Sequence, residues 1–373
     1  MTQHTEHVHI VIAPDKFAGT LSALDAARAV ADGWRSADPS ARIDLLPLSD
    51  GGPGFVEVLH TALGGSLRET SVTGPLGAPV AASYLLVGDT AYVESAQACG
   101  LHLVPADRRD PARTTSAGVG ELIARAVADG ARTVVVGLGG SSTNDAGAGL
   151  LAALGATPAA DLTRGGGALA DVDEVDPGPA REAVAGVRLV AATDVDNPLL
   201  GLHGASAVFG PQKGADPALV QRLDLALTAF ADRVDPRGAA RSEPGSGAAG
   251  GLGFALLLLG GTVASGIGLV LDAVGLADRL AGADLVITGE GSFDSQSLRG
   301  KLPHGVARLA GEHAVPCVVA AGRVAVGRAE AAAAGITETY SLVESTGSVA
   351  AAMEHPARGL RDLAASIARR WAR

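Results

Sequence analysis

Lysine is almost missing from this chain. It has three, Lys16, Lys213 and Lys301, among 29 basic residues; the other 26 are arginine. GC-biased codon usage accounts for that ratio wherever either residue serves. The two differ where a compact ammonium must fit a tight site. All three lysines lie in polar, glycine-containing strings: Asp15–Gly19, Pro211–Gly214 and Arg299–Lys301. The surviving lysines are therefore candidates for sites that need one. Cysteine is nearly as scarce. Cys99 and Cys317 sit in apolar surroundings, which argues for a reducing compartment, here the cytoplasm, and against a disulfide framework. A basic surface is lacking too. With a net charge of −11, the chain is not expected to bind nucleic acid. The polar start, Met1 to His9, lacks the apolar core of a signal peptide, and His4, His7 and His9 read as a tail rather than a zinc site.

Familiar motifs are also missing. The Gly300-Lys301 pair has Ser295 where a phosphate-binding P-loop needs its first glycine. Ser142 and Asp294 interrupt the two best matches to a dinucleotide fingerprint. Thr143 spoils the one possible nucleophile elbow. Charge is absent from Pro244 to Leu271, long enough to cross a bilayer, but nine glycines fall within that stretch. It reads as a buried glycine-rich loop and helix, so no membrane partner is expected.

Glycine, by contrast, is abundant: 51 of 373 residues, without a collagen period. The length suggests two domains. His9–Ala13 and Ile43–Leu48 read as buried strands, each leading through a polar loop into a helix, Ser22–Trp34 and the segment through Val56 and Leu59. Alternation over Leu67–Thr73, Val80–Val87 and Thr90–Glu94, with Gly88-Asp89 as a turn, predicts antiparallel hairpins. Strand–loop–helix units resume at Thr133–Val136, Val187–Ala192, Asp284–Thr288 and Val315–Ala321. The pattern predicts an α/β protein: residues 1–70 and 280–373 form one parallel-sheet domain, and residues 71–279 an inserted mixed α+β domain with a hairpin.

Ligands in open α/β sheets bind at the carboxyl ends of the strands. Five predicted strand ends carry polar glycine strings: Asp15–Thr20, Ser49–Gly54, Gly137–Asp145, Thr193–Pro198 and Gly289–Asp294. Turns alone do not call for five. Their carboxylates, lysines, hydroxyls and backbone amides suit phosphoryl transfer. Amides cradle phosphates. One or two carboxylates hold Mg²⁺. A lysine neutralises the transferred group, and an aspartate accepts the hydroxyl proton. Each residue also has a plain reading. Asp50 could cap the following helix, as could Asn144 and Asp145. A surface turn explains Asn197-Pro198 but not Asp194 as well, while Glu290 and Asp294 could flank a tight turn and Lys213 could decorate a helix end.

The strings taken together resemble the class I glycerate kinase family, from about Val8 to Val324. They are Ala13-Pro14-Asp15 with Gly19–Ala23, Asp50-Gly51-Gly52, Thr114–Ser116 with Gly120–Ile123, Gly139–Ser141 with Thr143-Asn144-Asp145, Ala192–Val195 with Asn197–Leu199, Val208–Ala215, Gly247–Gly253, and Ile287–Gly291 with Asp294, Gln296 and Gly300-Lys301. The resemblance implies ATP-dependent phosphorylation of D-glycerate with Mg²⁺, usually giving 2-phosphoglycerate. It also implies a flavodoxin-like domain, an inserted second domain and a site in the cleft between them, in a monomer or homodimer. On that footing Asp194 is the expected general base, with Lys301 and Asp50 as further catalytic residues and Glu290 and Asp294 as metal ligands. Lys16 or Arg323 is expected to hold the substrate carboxylate, alongside Asp15, Asn144 and Asp145. Gly139, Gly140, Ser141, Thr143, Lys213, Gly247, Gly250 and Gly251 are expected on the nucleotide. Two departures bear on acceptor choice. The family's usual lysine position holds Ala18, with the cation at Lys16, and Pro53 stands where the family usually has glutamate, in a position expected to open the next helix. Another small hydroxy acid as acceptor, or a non-catalytic ligand-binding regulator, is the alternative.

Overall fold

The computed structural model describes residues 7–17, 19–298 and 300–371; Ala18, Arg299 and His4 lie outside them. It is an α/β protein made of two units. One comprises the described residues up to Asp50 and from Ile267 onward, the other residues 51–266.

The first unit is built on a five-stranded, fully parallel sheet. Its spatial order is Glu338–Ser341, Cys317–Ala321, Leu285–Thr288, His9–Ile12 and Arg42–Leu45. The first strand of the chain is thus interior, next to the edge strand, with Ile10 opposite Ile43 on one side and Leu285 on the other. That is where strand order reverses, the usual place for a binding crevice in such sheets. The three middle strands are apolar on both faces, as a sheet covered by helices requires. Helix Ala23–Ala37 starts at Ser22, whose hydroxyl oxygen accepts from the Asp25 N–H at 3.1 Å. It packs closely on the last helix, Pro356–Trp371. Gly33 permits that contact, since a Cβ there would stand 2.0 Å from the Arg361 carbonyl oxygen. Trp34, Ile10, Ile12, Ile287, Leu360 and Ile367 fill the core between helices and sheet. His9 belongs to this scaffold and not to a tail. It is buried in the first strand, and its Nε2 lies 3.0 Å from Asp44 Oδ2.

The second unit has a six-stranded mixed sheet. Ser66–Thr73, Pro79–Val87 and Thr90–Glu94 run antiparallel, and Thr133–Gly137, Arg188–Ala192 and Thr262–Ala264 continue in parallel from the third. Strand alternation and the Gly88-Asp89 turn thus lead to the expected hairpins. The charge-free stretch becomes helix Ala248–Leu258, strand Thr262–Ala264 and the start of helix Gly266–Ala273. No helix among the described residues is long and apolar enough to cross a membrane. Helix Phe55–Leu63 begins at Gly54, so Pro53 precedes the helix instead of opening it. Glu94 caps that helix, its Oε2 accepting from the N–H groups of Gly54 at 3.2 Å and Val56 at 3.3 Å.

Candidate active site

In the first unit, loops leaving the carboxyl ends of four strands line one pocket of about 490 Å³. Asp15 and Lys16 follow strand His9–Ile12, Asp50 follows its neighbour at the sheet edge, Glu290 follows Leu285–Thr288, and Arg323 follows Cys317–Ala321. Lys301 enters from the N-cap position of helix Leu302–Glu312. Six of the expected site residues therefore share one cavity. The loops are tied together by backbone: Asp15 N–H donates to the Gly289 carbonyl at 2.8 Å, and Gly322 N–H to the Glu290 carbonyl at 3.0 Å. Gly289 is required there, because a Cβ would sit 2.0 Å from the Ala320 carbonyl oxygen.

Charge sets the character of the pocket. Lys16 Nζ donates to Asp50 Oδ1 at 3.1 Å and to Asp15 Oδ1 at 3.4 Å. Burial pushes Lys16 toward its neutral form, but Asp50 and Asp15 together outweigh it, so the ammonium is held charged well above its ordinary range. Burial raises the Asp15 carboxyl to about 7, although Lys16 pulls it down; Asp50 and Glu290 add to the rise. Glu290 is only 8% exposed and is also raised, first by burial, with Lys301 and Ser297 opposing. Its Oε1 is buried with no hydrogen-bond partner among the described residues. A buried carboxylate oxygen without a donor is costly unless a proton or cation completes it. Asp294 is not among the residues lining this pocket. Its Oδ1 accepts from Gln296 N at 2.8 Å and Ser297 N at 3.3 Å, the tight turn that its plain reading proposes.

The second unit gathers a different set. Lys213, 2% exposed, donates from Nζ to Ser141 Oγ at 2.9 Å and to the Thr143 carbonyl at 2.7 Å. Burial lowers its pKa to about 8, with Cys99 and Asp145 opposing. Asp145 is wholly buried and accepts four hydrogen bonds, from Ser116 N and Oγ at 2.9 and 2.8 Å, Gly147 N at 3.1 Å and Gly149 N at 3.3 Å. It organises the entry to helix Ala148–Ala153, as a cap does. Asn144 is buried beside it and donates from Nδ2 to Ser206 Oγ at 2.7 Å, while its Oδ1 has no partner among the described residues. This loop lies hard against the segment Gly247–Gly251. A Cβ on Gly250 would stand 1.9 Å from the Thr143 carbonyl oxygen, and one on Gly251 2.4 Å from Ala146 Cα. A Cβ on Gly247 would stand 2.2 Å from the Pro198 carbonyl oxygen, and one on Gly139 2.7 Å from Gly52 Cα. These glycines are thus demanded by backbone packing. Gly140, in the left-handed region, turns the chain beside Pro53. Asp194 lies just past the end of strand Arg188–Ala192, exposed, with its Oδ1 accepting the Ser265 hydroxyl at 2.6 Å.

Sequence reading passed over three participants. Ser116 links Asp145 to Leu150 N–H, and the signal was present in the Thr114–Ser116 string. Glu94 and the apolar side of the first pocket, with Leu342, Val343, Val349, Ala352 and Met353, had no motif to mark them.

The model of the glycerate kinase family matches residues 10–372. The chain is 44% identical to a glycerate kinase of Bacillus subtilis, covering 96% of this chain and 97% of that one. It is 41% identical to a glycerate 2-kinase of Escherichia coli, covering 96% and 98%. A crystal structure of a candidate glycerate kinase 2 from Salmonella typhimurium LT2 superposes with a TM-score of 0.80 at 40% identity, covering 98% of both chains.

Proposed function

From the premise that the chain belongs to the glycerate kinase family, and so is a kinase acting on glycerate, we propose that it transfers the γ-phosphoryl group of MgATP to D-glycerate, yielding 2-phosphoglycerate and ADP. The observation that carries the reading is the first-unit pocket. It sets Lys16, Lys301 and Arg323 among Asp15, Asp50 and Glu290 at the carboxyl ends of parallel strands.

Glycerate is a small anion, and Lys16 or Arg323 takes its carboxylate in a charge-assisted contact. Lys301, whose charge is felt at Glu290, faces the phosphoryl group in flight. The residues fit a magnesium ion. No group of three or more His, Cys, Asp or Glu among the described residues forms a ready-made metal cage. Mg²⁺ that arrives with a nucleotide needs only one or two carboxylates, and the donor-less Glu290 Oε1 with Asp50 or Asp294 supplies them. When bound, that ion offsets charge on the phosphates. Asp194 accepts the proton of the attacking hydroxyl, its carboxylate being exposed and oriented by Ser265. Lys213 and Asp145 act through the loop Ser141–Asp145, which they fix from beneath. The buried free thiols Cys99 and Cys317 fit a reducing cytoplasm.

An ADP-release assay with MgATP, with and without D-glycerate, followed by ³¹P NMR of the product, tests this reading. The expected product is a secondary phosphate ester, formed only with glycerate, and Asp194→Asn should lower kcat at least ~10²-fold. A primary ester would move the reaction to the other hydroxyl. Turnover with a different hydroxy acid, and not with glycerate, would assign the departures at Lys16 and Pro53 to acceptor choice.

A further inference from the structure

The first-unit pocket is lined by two unlike sets of side chains. One is ionic, as described. The other is apolar: Leu342, Val343, Val349, Ala352, Met353 and Pro356 come from two short helices, Leu342–Thr346 and Val349–Glu354, and from the head of the last helix. Val349 and Met353 are 54% and 59% exposed, and they are among the few large apolar side chains the protein leaves open. Glycerate cannot account for the apolar set. A three-carbon acid with two hydroxyls and a carboxylate has no apolar part, and it fills a small share of about 490 Å³.

The proposed reaction has one substrate whose chemistry matches both sets. A nucleoside triphosphate carries a flat, weakly polar base at one end and a polyanion at the other. We propose that the apolar lobe formed by Leu342–Pro356 is the subsite for the base and sugar of the nucleotide, with its phosphates directed toward Lys16, Lys301 and Arg323. The inference rests on the ATP-dependent reading and deepens it by locating the nucleoside. It also gives the glycine loops of the second unit a different task. Gly250, Gly251 and Gly139 are filled by neighbouring backbone, which explains the glycines without a nucleotide against them. The apolar lobe is held by side chains on helices that the family strings, ending near Val324, do not include.

The test is equilibrium binding of ADP to the full-length protein without glycerate, for wild type and for Val349→Ser combined with Met353→Ser. Both side chains are more than half exposed, so the fold should tolerate the changes. Inorganic tripolyphosphate serves as a second probe, because it reaches the cations but has no base. The expected result is a tenfold or greater rise in the dissociation constant for ADP, with that for tripolyphosphate changed less than twofold and the KM for glycerate unaltered. Unchanged ADP affinity would overturn the subsite, as would equal weakening of both probes. A raised KM for glycerate at constant ADP affinity would overturn it too and give the lobe to the acceptor. The two readings fail separately. Wild-type protein that binds ADP with no response to the variants sinks only the subsite, whereas wild type that binds no ADP ends the nucleotide reading and the subsite with it.

Discussion

Asp15 shows what the sequence discloses about a single residue and what it withholds. Its place after an apolar strand and before a lysine marks it as a candidate site residue. Its protonation does not follow from the string, because it depends on burial and on Asp50 and Glu290, which arrive from distant loops. The same holds for Lys213: rarity flags it, but only folding shows that its ammonium is enclosed by Ser141 and Thr143. The Asp15 environment has a consequence for stability. The carboxyl titrates near 3.8 when exposed and at about 7 in the folded chain. Between those values the folded state holds more protons than the unfolded one, so this group makes stability fall as pH rises from about 4 to about 7. Asp15→Asn removes the titration. Its melting temperature should match wild type near pH 4 and exceed it at pH 7. Melting curves across that range check this, and parallel pH profiles for the two proteins would show that Asp15 is not held protonated.

At the scale of elements, periodicity located nine of the eleven strands of the two sheets to within a few residues, and passed over the edge strands Thr262–Ala264 and Glu338–Ser341. Apolar runs and alternation report which face meets a core, and that is what makes a strand. Starts of elements were less legible where a remote group sets them. Helix Phe55–Leu63 is capped by Glu94, some forty residues away in sequence, and the nearby Pro53 misled as its first helical residue. Glycine strings were legible as loops but not as to purpose. Gly250 illustrates the difference. Its φ is +72°, and a Cβ would meet the Thr143 carbonyl oxygen at 1.9 Å. Gly186 also has a positive φ, +78°, but open space around it. Gly186→Ala should therefore cost only the left-handed strain, about 1–2 kcal/mol. Gly250→Ala adds a clash between two backbones that cannot both yield, and should cost about 3 kcal/mol or more. Urea titrations of both variants measure the difference. Equal costs would mean that the Thr143 loop moves aside freely, and the tight seating of Ser141–Asp145 would lose its physical basis.

The whole molecule obeys a constraint that no local string expresses: one unit is continuous and the other is not. The first unit draws its parallel sheet from both chain ends, while the second is contained in residues 51–266. The sequence shows that the α/β style returns near the end, because buried strands resemble one another. It does not mark the boundary, because helix Phe55–Leu63 follows a strand of the first unit without a break in pattern, although it packs on the sheet of the second. The second unit has its own apolar core around Leu122, Val134, Leu150, Leu227 and Phe254, and its six strands pair only with one another. A segment with a complete sheet and its own core meets the physical requirements of a domain. Residues 51–266 expressed alone should therefore fold and melt cooperatively, as circular dichroism would register. They keep the Lys213 network and Asp194 but lack the pocket around Asp15 and Glu290. If the nucleoside belongs with Leu342–Pro356, this fragment should not bind ADP with the affinity of the whole chain. A folded fragment that binds ADP as tightly as the intact protein would return the nucleotide to the glycine loops and leave the apolar lobe to some other ligand.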